Sequence, residues 1–121
     1  MARVALLGFP QDLASQLSRI LLAEAHTVDR KRYIQDLRKR SRLSVVFVCA
    51  DTPGFLETVS ALKDAEPGLP FVVTTRMPDP TQWLNALEAG AADYCGAPFE
   101  TVQVRWIMGS VLRQQVCEAA A

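Results

Sequence analysis

Residues that build disulfide frameworks and metal sites are scarce in this chain of 121 residues. Three cysteines, Cys49, Cys95 and Cys117, are widely spaced, no Cys-x-x-Cys pair occurs, and His26 is the single histidine. A disulfide scaffold needs paired cysteines, and a zinc site needs clustered cysteine and histidine ligands. The sequence therefore predicts neither kind of site, and it indicates a protein whose thiols stay reduced.

Long apolar runs and a dominant charge are also missing. No apolar run approaches the roughly 20 residues that a helix needs to cross a bilayer. Met1 leads almost directly into a short apolar run, without the pattern of a signal peptide. The formal net charge is zero, so no overall field favours nucleic acid or a membrane surface. These absences predict a cytoplasmic protein that does not contact a membrane.

The charge is nevertheless unevenly distributed along the chain. Positions 29 to 42 hold seven basic residues and two acidic ones, and the remaining sequence is net acidic by five. The basic residues are Arg30, Lys31, Arg32, Arg38, Lys39, Arg40 and Arg42. They form either a solvated helix face or a surface that binds an acidic partner or nucleic acid. Direct reading of DNA is disfavoured, because the segment is short and does not belong to a helix-turn-helix pattern.

Half of the residues are hydrophobic, and short apolar runs alternate with helical patterns. The pattern predicts strands at 4–7, 27–28, 45–49, 71–75 and 93–96, and helices at 11–25, 33–37, 55–66, 83–90 and 100–117. This alternation predicts one α/β domain over residues 1–121, with a parallel sheet covered by helices on both faces. The tail from about residue 117 is expected to fray or to begin a linker. Function in such sheets lies at the carboxyl ends of the strands.

Three segments in the second half of the chain follow a specific spacing. They are LPFVVTT at residues 69–75, ALEAGAADY at residues 86–94, and PF at residues 98–99. This pattern resembles the receiver (CheY-like) domain of bacterial two-component response regulators. The resemblance covers nearly the whole chain and is weakest at residues 27–42. It implies a (βα)5, doubly wound, flavodoxin-like fold with strand order 2-1-3-4-5, and a role in phosphorelay signalling rather than catalysis.

The resemblance also implies where a phosphoryl-accepting site would lie, and most of its side chains are replaced. Gly8 and Phe9 stand at the positions of the acidic pair that binds a divalent metal. The acceptor position holds Cys49, and the lysine position directly before Pro98 holds Ala97. Mg²⁺ needs hard oxygen ligands, and the lysine neutralises charge on the phosphoryl group. The resemblance therefore predicts a degenerate receiver, or pseudo-receiver, that is not phosphorylated and binds no Mg²⁺ or other cofactor.

Two switch positions of the receiver pattern keep their residue types. Thr75 stands at the hydroxyl position and Tyr94 at the position of the switch aromatic. In active receivers these two residues move together when the domain is phosphorylated. Either a two-state switch persists here under another input, or both residues simply pack and form hydrogen bonds.

Two carboxylates and one thiol leave alternatives open near this edge. Asp51 could replace the lost acceptor, or it could be a turn aspartate that caps a helix or bonds to local backbone. Asp12 could be a displaced metal ligand, or a first-turn residue that interacts with the helix dipole. Cys49 could be a redox thiol if a positive neighbour such as Arg76 lowered its pKa, or a small buried hydrophobe that fills the acceptor site.

The last two predicted helices each carry one tryptophan. Trp83 and Trp106 could pack in the core, or they could anchor an interface, since this face resembles the one that receivers use for dimers and output partners. The leading hypothesis is an atypical receiver that forms a homodimer through these helices and regulates an output partner. The alternatives are a phosphoacceptor that uses Asp51 and a thiol-based redox sensor at Cys49.

Overall fold

The computed structural model of the protein describes residues 2–37 and 42–120, and describes side chains as far as residue 113. The strands are β1 (Arg3–Leu7), β2 (Thr27–Lys31), β3 (Val45–Cys49), β4 (Phe71–Thr75) and β5 (Asp93–Gly96). The helices are α1 (Gln11–Ala23), α2 (Phe55–Ala65), α3 (Pro80–Glu88) and α4 (Thr101–Ala120). Within the described part, no helix is both long and apolar enough to cross a membrane.

The five strands form one parallel sheet in the order β2-β1-β3-β4-β5. The predicted α/β class and strand order are therefore confirmed. All residues of β3 and β4 are buried, which explains why β3 and the first three residues of β4 are continuously apolar rather than alternating. The order of the strands reverses between β1 and β3, so a crevice is expected at their carboxyl ends.

Helices cover both faces of the sheet and separate the core into two clusters. On one face, α1 and α4 pack their apolar residues against the sheet, and that cluster includes Leu17, Phe47 and Ile107. On the other face, the cluster includes Leu62 from α2 and Ala86 from α3. Alternate residues of β1 and β3 point to opposite faces, as the strand period requires.

The connection from β2 to β3 differs from the prediction. The prediction of a brief helix at residues 33–37 is wrong, because a single 3₁₀ turn at Ile34–Asp36 takes its place. The Tyr33 backbone N–H donates to an Asp36 carboxylate oxygen at 3.3 Å and closes this turn locally. Strand β2 is longer than expected, so Arg30 and Lys31 are strand residues rather than part of a helix face. Arg38, Lys39 and Arg40 of the basic cluster lie outside the described residues.

Helix boundaries follow local signals where such signals are strong. Asp79 caps α3 by accepting a hydrogen bond from the Thr81 backbone N–H at 3.2 Å, and Pro80 opens the helix. Gly90, with a φ of 102°, ends the same segment. Helix α4 continues to Ala120, beyond the end expected near Cys117.

Candidate functional site

The carboxyl ends of the strands bring together most of the residues that the sequence singled out. Residues from the ends of β1, β3 and β4, from the loops that follow them and from the first turn of α1 meet at this edge; they are Gly8, Phe9, Asp12, Cys49, Asp51, Thr75 and Arg76. A cavity of about 860 Å³ opens beside β1 and β3 at the same edge. The hydrogen bonds among these residues decide what chemistry the edge supports.

Cys49 is the last residue of β3, and its side chain is only 1% exposed. It belongs to the core cluster on the α1 and α4 face, and burial raises the pKa of its thiol. A reactive cysteine needs the opposite change, because the thiolate is the nucleophile. The burial and the raised pKa therefore do not favour a redox role for Cys49. Cys95 lies on β5, two strands away from β3, and both thiols are free.

Asp51 binds residues from the next strand rather than its own loop. The Thr75 hydroxyl donates to one Asp51 carboxylate oxygen at 2.7 Å, and the Arg76 backbone N–H donates to the other at 2.7 Å. Asp51 does lie in a turn, but the expectation that its carboxylate bonds to local backbone is wrong, because its partners are Thr75 and Arg76. Strands β3 and β4 are parallel neighbours, so their carboxyl ends place these partners side by side.

Arg76 connects the two carboxylates at this edge. Its guanidinium donates two hydrogen bonds to the Asp12 carboxylate, at 2.6 and 2.5 Å, while its backbone N–H bonds to Asp51. The hydrogen bonds from Arg76 lower the pKa of Asp12, and the same contact raises the pKa of Arg76. Asp12 lies in the first turn of α1, as expected. The sequence indicated Arg76 only as a possible neighbour of Cys49, and its pairing with Asp12 was missed.

The replaced receiver positions make backbone and apolar contacts. Gly8 has a φ of 71°, which favours glycine, and its carbonyl accepts a hydrogen bond from the Thr52 hydroxyl at 2.6 Å. Phe9 and Ala97 are partly buried and pack against the cluster that contains Cys49. Cys49, Phe9 and Ala97 therefore make apolar contacts at three positions where the resemblance implies charged side chains.

The two switch residues belong to separate hydrogen-bonded groups. Thr75 is 1% exposed, and its hydroxyl also accepts a hydrogen bond from the Met77 backbone N–H at 3.1 Å. The Tyr94 hydroxyl donates to the Gln82 side chain at 2.6 Å and accepts from the Asp79 backbone N–H at 3.3 Å. Tyr94 is therefore tied to the start of α3, whereas Thr75 is tied to Asp51.

The divalent metal that the resemblance implies does not fit the residues present. Mg²⁺ requires octahedral coordination by hard oxygen ligands. Gly8 and Phe9 offer no carboxylate, and the nearby Asp12 and Asp51 carboxylates accept hydrogen bonds from Arg76. Among residues 2–37 and 42–120, no group of three or more histidine, cysteine, aspartate or glutamate side chains is placed to hold a metal ion. Arg76 is the cation that bonds to both of these carboxylates.

The two tryptophans lie on helices that flank the edge strand β5. Trp83 is 44% exposed on α3 and Trp106 is 65% exposed on α4, so neither is a core residue. Three aliphatic side chains on these helices are also exposed: Leu84, Leu87 and Val102. We call these five residues the α3–α4 face. The Arg113 guanidinium carbon lies 5.9 Å from the Trp106 ring centre, within the range of a cation–π contact.

No protein-family model and no curated protein match the sequence, but solved structures match the fold closely. A response regulator receiver domain protein from Clostridium thermocellum matches with a TM-score of 0.84 and 12% sequence identity, over 97% of this chain and 98% of that chain. The chain has the receiver fold.

Two further solved structures match this fold, one as a separate domain and one within a longer chain. The activated receiver domain of NtrC4, solved as a dimer, matches with a TM-score of 0.82 and 18% identity, over 95% of this chain and 99% of that one. NtrX from Brucella abortus matches with a TM-score of 0.86 and 18% identity, over 98% of this chain but 29% of NtrX. At such identities, the similarity establishes the receiver fold.

Proposed function

We propose that this receiver-fold domain acts in two-component signalling as an atypical receiver that is not phosphorylated and that binds protein partners. The observation that carries the proposal is the Asp12–Arg76–Asp51 network beside a buried Cys49. The proposal includes a cytoplasmic location, no Mg²⁺ cofactor and no enzymatic activity.

The network opposes phosphoryl transfer for a chemical reason. Transfer needs an accessible carboxylate, together with a metal ion and a cation that neutralise the transferring group. Here Cys49 supplies no carboxylate, and Ala97 supplies no cation. Arg76 is the cation next to Asp51 and Asp12, and its guanidinium is already paired with Asp12. The proposal is supported because neither the acceptor position nor the lysine position supplies the charge that the reaction uses.

Incubation with acetyl phosphate and Mg²⁺, followed by intact mass spectrometry, tests this proposal. We expect no added phosphoryl group, while a receiver domain with a complete acidic site, run in parallel, gains one. An adduct that disappears in Asp51→Asn but persists in Asp64→Asn would overturn the proposal. Asp64 is a suitable matched control, because it is an exposed carboxylate on α2, away from this edge.

One observation favours a second candidate function, in which Asp51 is a genuine phosphoacceptor. The Thr75 hydroxyl, at the switch position of the receiver pattern, already donates to Asp51 at 2.7 Å. A phosphoryl group on Asp51 would have to replace that hydrogen bond and the one from the Arg76 backbone. The adduct that overturns the first candidate would establish this one.

The α3–α4 face supports the proposed homodimer or the docking of an output domain. The exposed Trp83 and Trp106 side chains provide aromatic anchors of the kind that interfaces favour, and exposed leucines lie on the same helix as Trp83. The dimeric NtrC4 receiver and the longer NtrX chain are consistent with both uses of this fold.

Sedimentation velocity of purified variants tests the dimer. We expect the wild-type chain to self-associate, and we expect Trp83→Ala and Trp106→Ala each to shift it towards monomer. Leu22→Ala is a matched control, because Leu22 is an exposed apolar residue on α1, outside this face. A wild-type protein that stays monomeric at all concentrations would refute the homodimer.

A further inference from the structure

The cavity at the carboxyl ends of β1 and β3 has features that the receiver-like role does not use. Its volume is about 860 Å³, within the range of about 300–1,000 Å³ that is typical of clefts for organic ligands. It lies where the strand order reverses, which is the usual binding position in open parallel sheets. In the described residues of the connection from β2 to β3, a 3₁₀ turn at Ile34–Asp36 lies beside it.

Positive charge lines this cavity. Arg30, Lys31 and Arg32 contribute to its wall, and Asp51 is the single carboxylate that does so, giving a net charge of plus two. The Arg30 guanidinium is held by the Gln11 side chain, which accepts its hydrogen bond at 2.7 Å. Across the described ranges, neither Lys31 nor Arg32 forms an ion pair. Two cations are therefore available to an anionic ligand.

Aromatic side chains line the same cavity. Phe9, Tyr33 and Phe55 contribute to its wall, and the hydrogen bond that closes the 3₁₀ turn holds the Tyr33 backbone at the rim. A planar ring can stack against such side chains, while phosphate groups bind lysine and arginine through charge-assisted hydrogen bonds. Inorganic phosphate alone would use only the cations and would leave most of the volume to water.

We propose that this cavity binds a nucleotide, with its phosphates on Lys31 and Arg32 and its base against the aromatic side chains. Such a ligand would give the domain a small-molecule input at the edge where receivers are phosphorylated. The inference does not depend on the proposed function, because Lys31 and Arg32 take no part in the Asp12–Arg76–Asp51 network.

Isothermal titration calorimetry with the four common ribonucleoside triphosphates, without added metal, tests the inference. We expect at least one to bind with a Kd of about 0.1 mM or tighter. We expect Lys31→Ala combined with Arg32→Ala to weaken that binding about 10-fold or more. Raising the salt concentration should weaken it as well, since exposed charges are screened. Arg19→Ala is the matched control, because Arg19 is an exposed cation on α1 that does not line the cavity.

Three results would each overturn this inference. They are no binding of any of the four nucleotides at about 1 mM, unchanged affinity in the double variant, and binding of tripolyphosphate as tight as that of the best nucleotide. Thermal unfolding of each variant establishes that the fold is kept, which we expect because Lys31 and Arg32 are exposed. The phosphodonor experiment on Asp51 is independent, so either proposal can fail alone.

Discussion

Cys49→Asp places the residue type that receivers phosphorylate at the matching position, yet we expect it to destabilise the protein. The Cys49 side chain is 1% exposed at the end of the fully buried strand β3. A carboxylate there loses most of its hydration, and the nearby Asp51 carboxylate adds like-charge repulsion. Burial of an unpaired charge costs several kcal/mol per ion, so we expect a loss of about 3 kcal/mol at pH 7.

The dependence on pH distinguishes this cost from a packing defect. Burial raises the pKa of the introduced carboxyl in the folded state, so the folded protein holds its proton more tightly than the unfolded chain does. The destabilisation therefore grows as the pH rises above the unfolded value of about 3.9, by at most about 1.4 kcal/mol per pH unit. It levels off once the pH exceeds the folded pKa. At about pH 4 most of the charge penalty should disappear.

Urea unfolding followed by far-UV circular dichroism, between about pH 4 and pH 7, measures this effect. Cys49→Ala is the matched control: it removes the thiol without adding charge, and we expect a loss of about 1 kcal/mol that does not change with pH. If Cys49→Asp matched the wild-type stability at pH 7, its carboxylate would be reaching water. The interpretation of this position as part of the packed core would then be wrong.

Two further predictions concern a histidine before β2 and a glycine at the end of β5. Burial lowers the pKa of His26, whose Nδ1 accepts a hydrogen bond from the Ala2 backbone N–H at 3.1 Å. The stabilising contribution of neutral His26 should therefore be present above about pH 6.5 and be lost as the pH falls through the lower pKa of the folded state. Urea unfolding of His26→Gln at several pH values should lack this component, and a pH profile equal to that of the wild type would refute the prediction. Gly96→Ala would place a Cβ against the ring of Pro78 and should lower the free energy of unfolding in urea by about 1–3 kcal/mol. Gly68→Ala is the control, because no atom lies within 4 Å of its added Cβ, and it should change stability by less than about 0.5 kcal/mol. Equal effects of the two substitutions would contradict this packing.

The strands were the most predictable part of the fold. The bounds of β3, β4 and β5 agree with the segments 45–49, 71–75 and 93–96 that the sequence indicates. The first two segments are short, mostly apolar runs bounded by turn residues, so their burial is determined locally, whereas 93–96 is mixed in polarity and mostly half-buried. The predicted helix at 33–37 failed because two apolar residues, Ile34 and Leu37, match a helical spacing that a single 3₁₀ turn also satisfies.

The candidate site was predictable in composition but not in contacts. The spacing of the receiver pattern alone assigns Gly8, Phe9, Cys49 and Ala97 to the predicted site. The partners of Asp51 were not predictable in this way. A turn aspartate ordinarily bonds to nearby backbone, whereas here the carboxyl end of the neighbouring strand offers better donors.

The sequence by itself determined the strands, the parallel α/β class and the uncharged residues at Gly8, Phe9, Cys49 and Ala97, since each is recorded in residue type and short-range spacing. Only the tertiary structure decided that Arg76 reaches Asp12, 64 residues away, or that three basic residues line a cavity beside β1. It also decided that both tryptophans are exposed. The physical reason is that such contacts depend on which strand ends share an edge and on how each helix is rotated against the sheet. Periodicity along the chain does not encode either property.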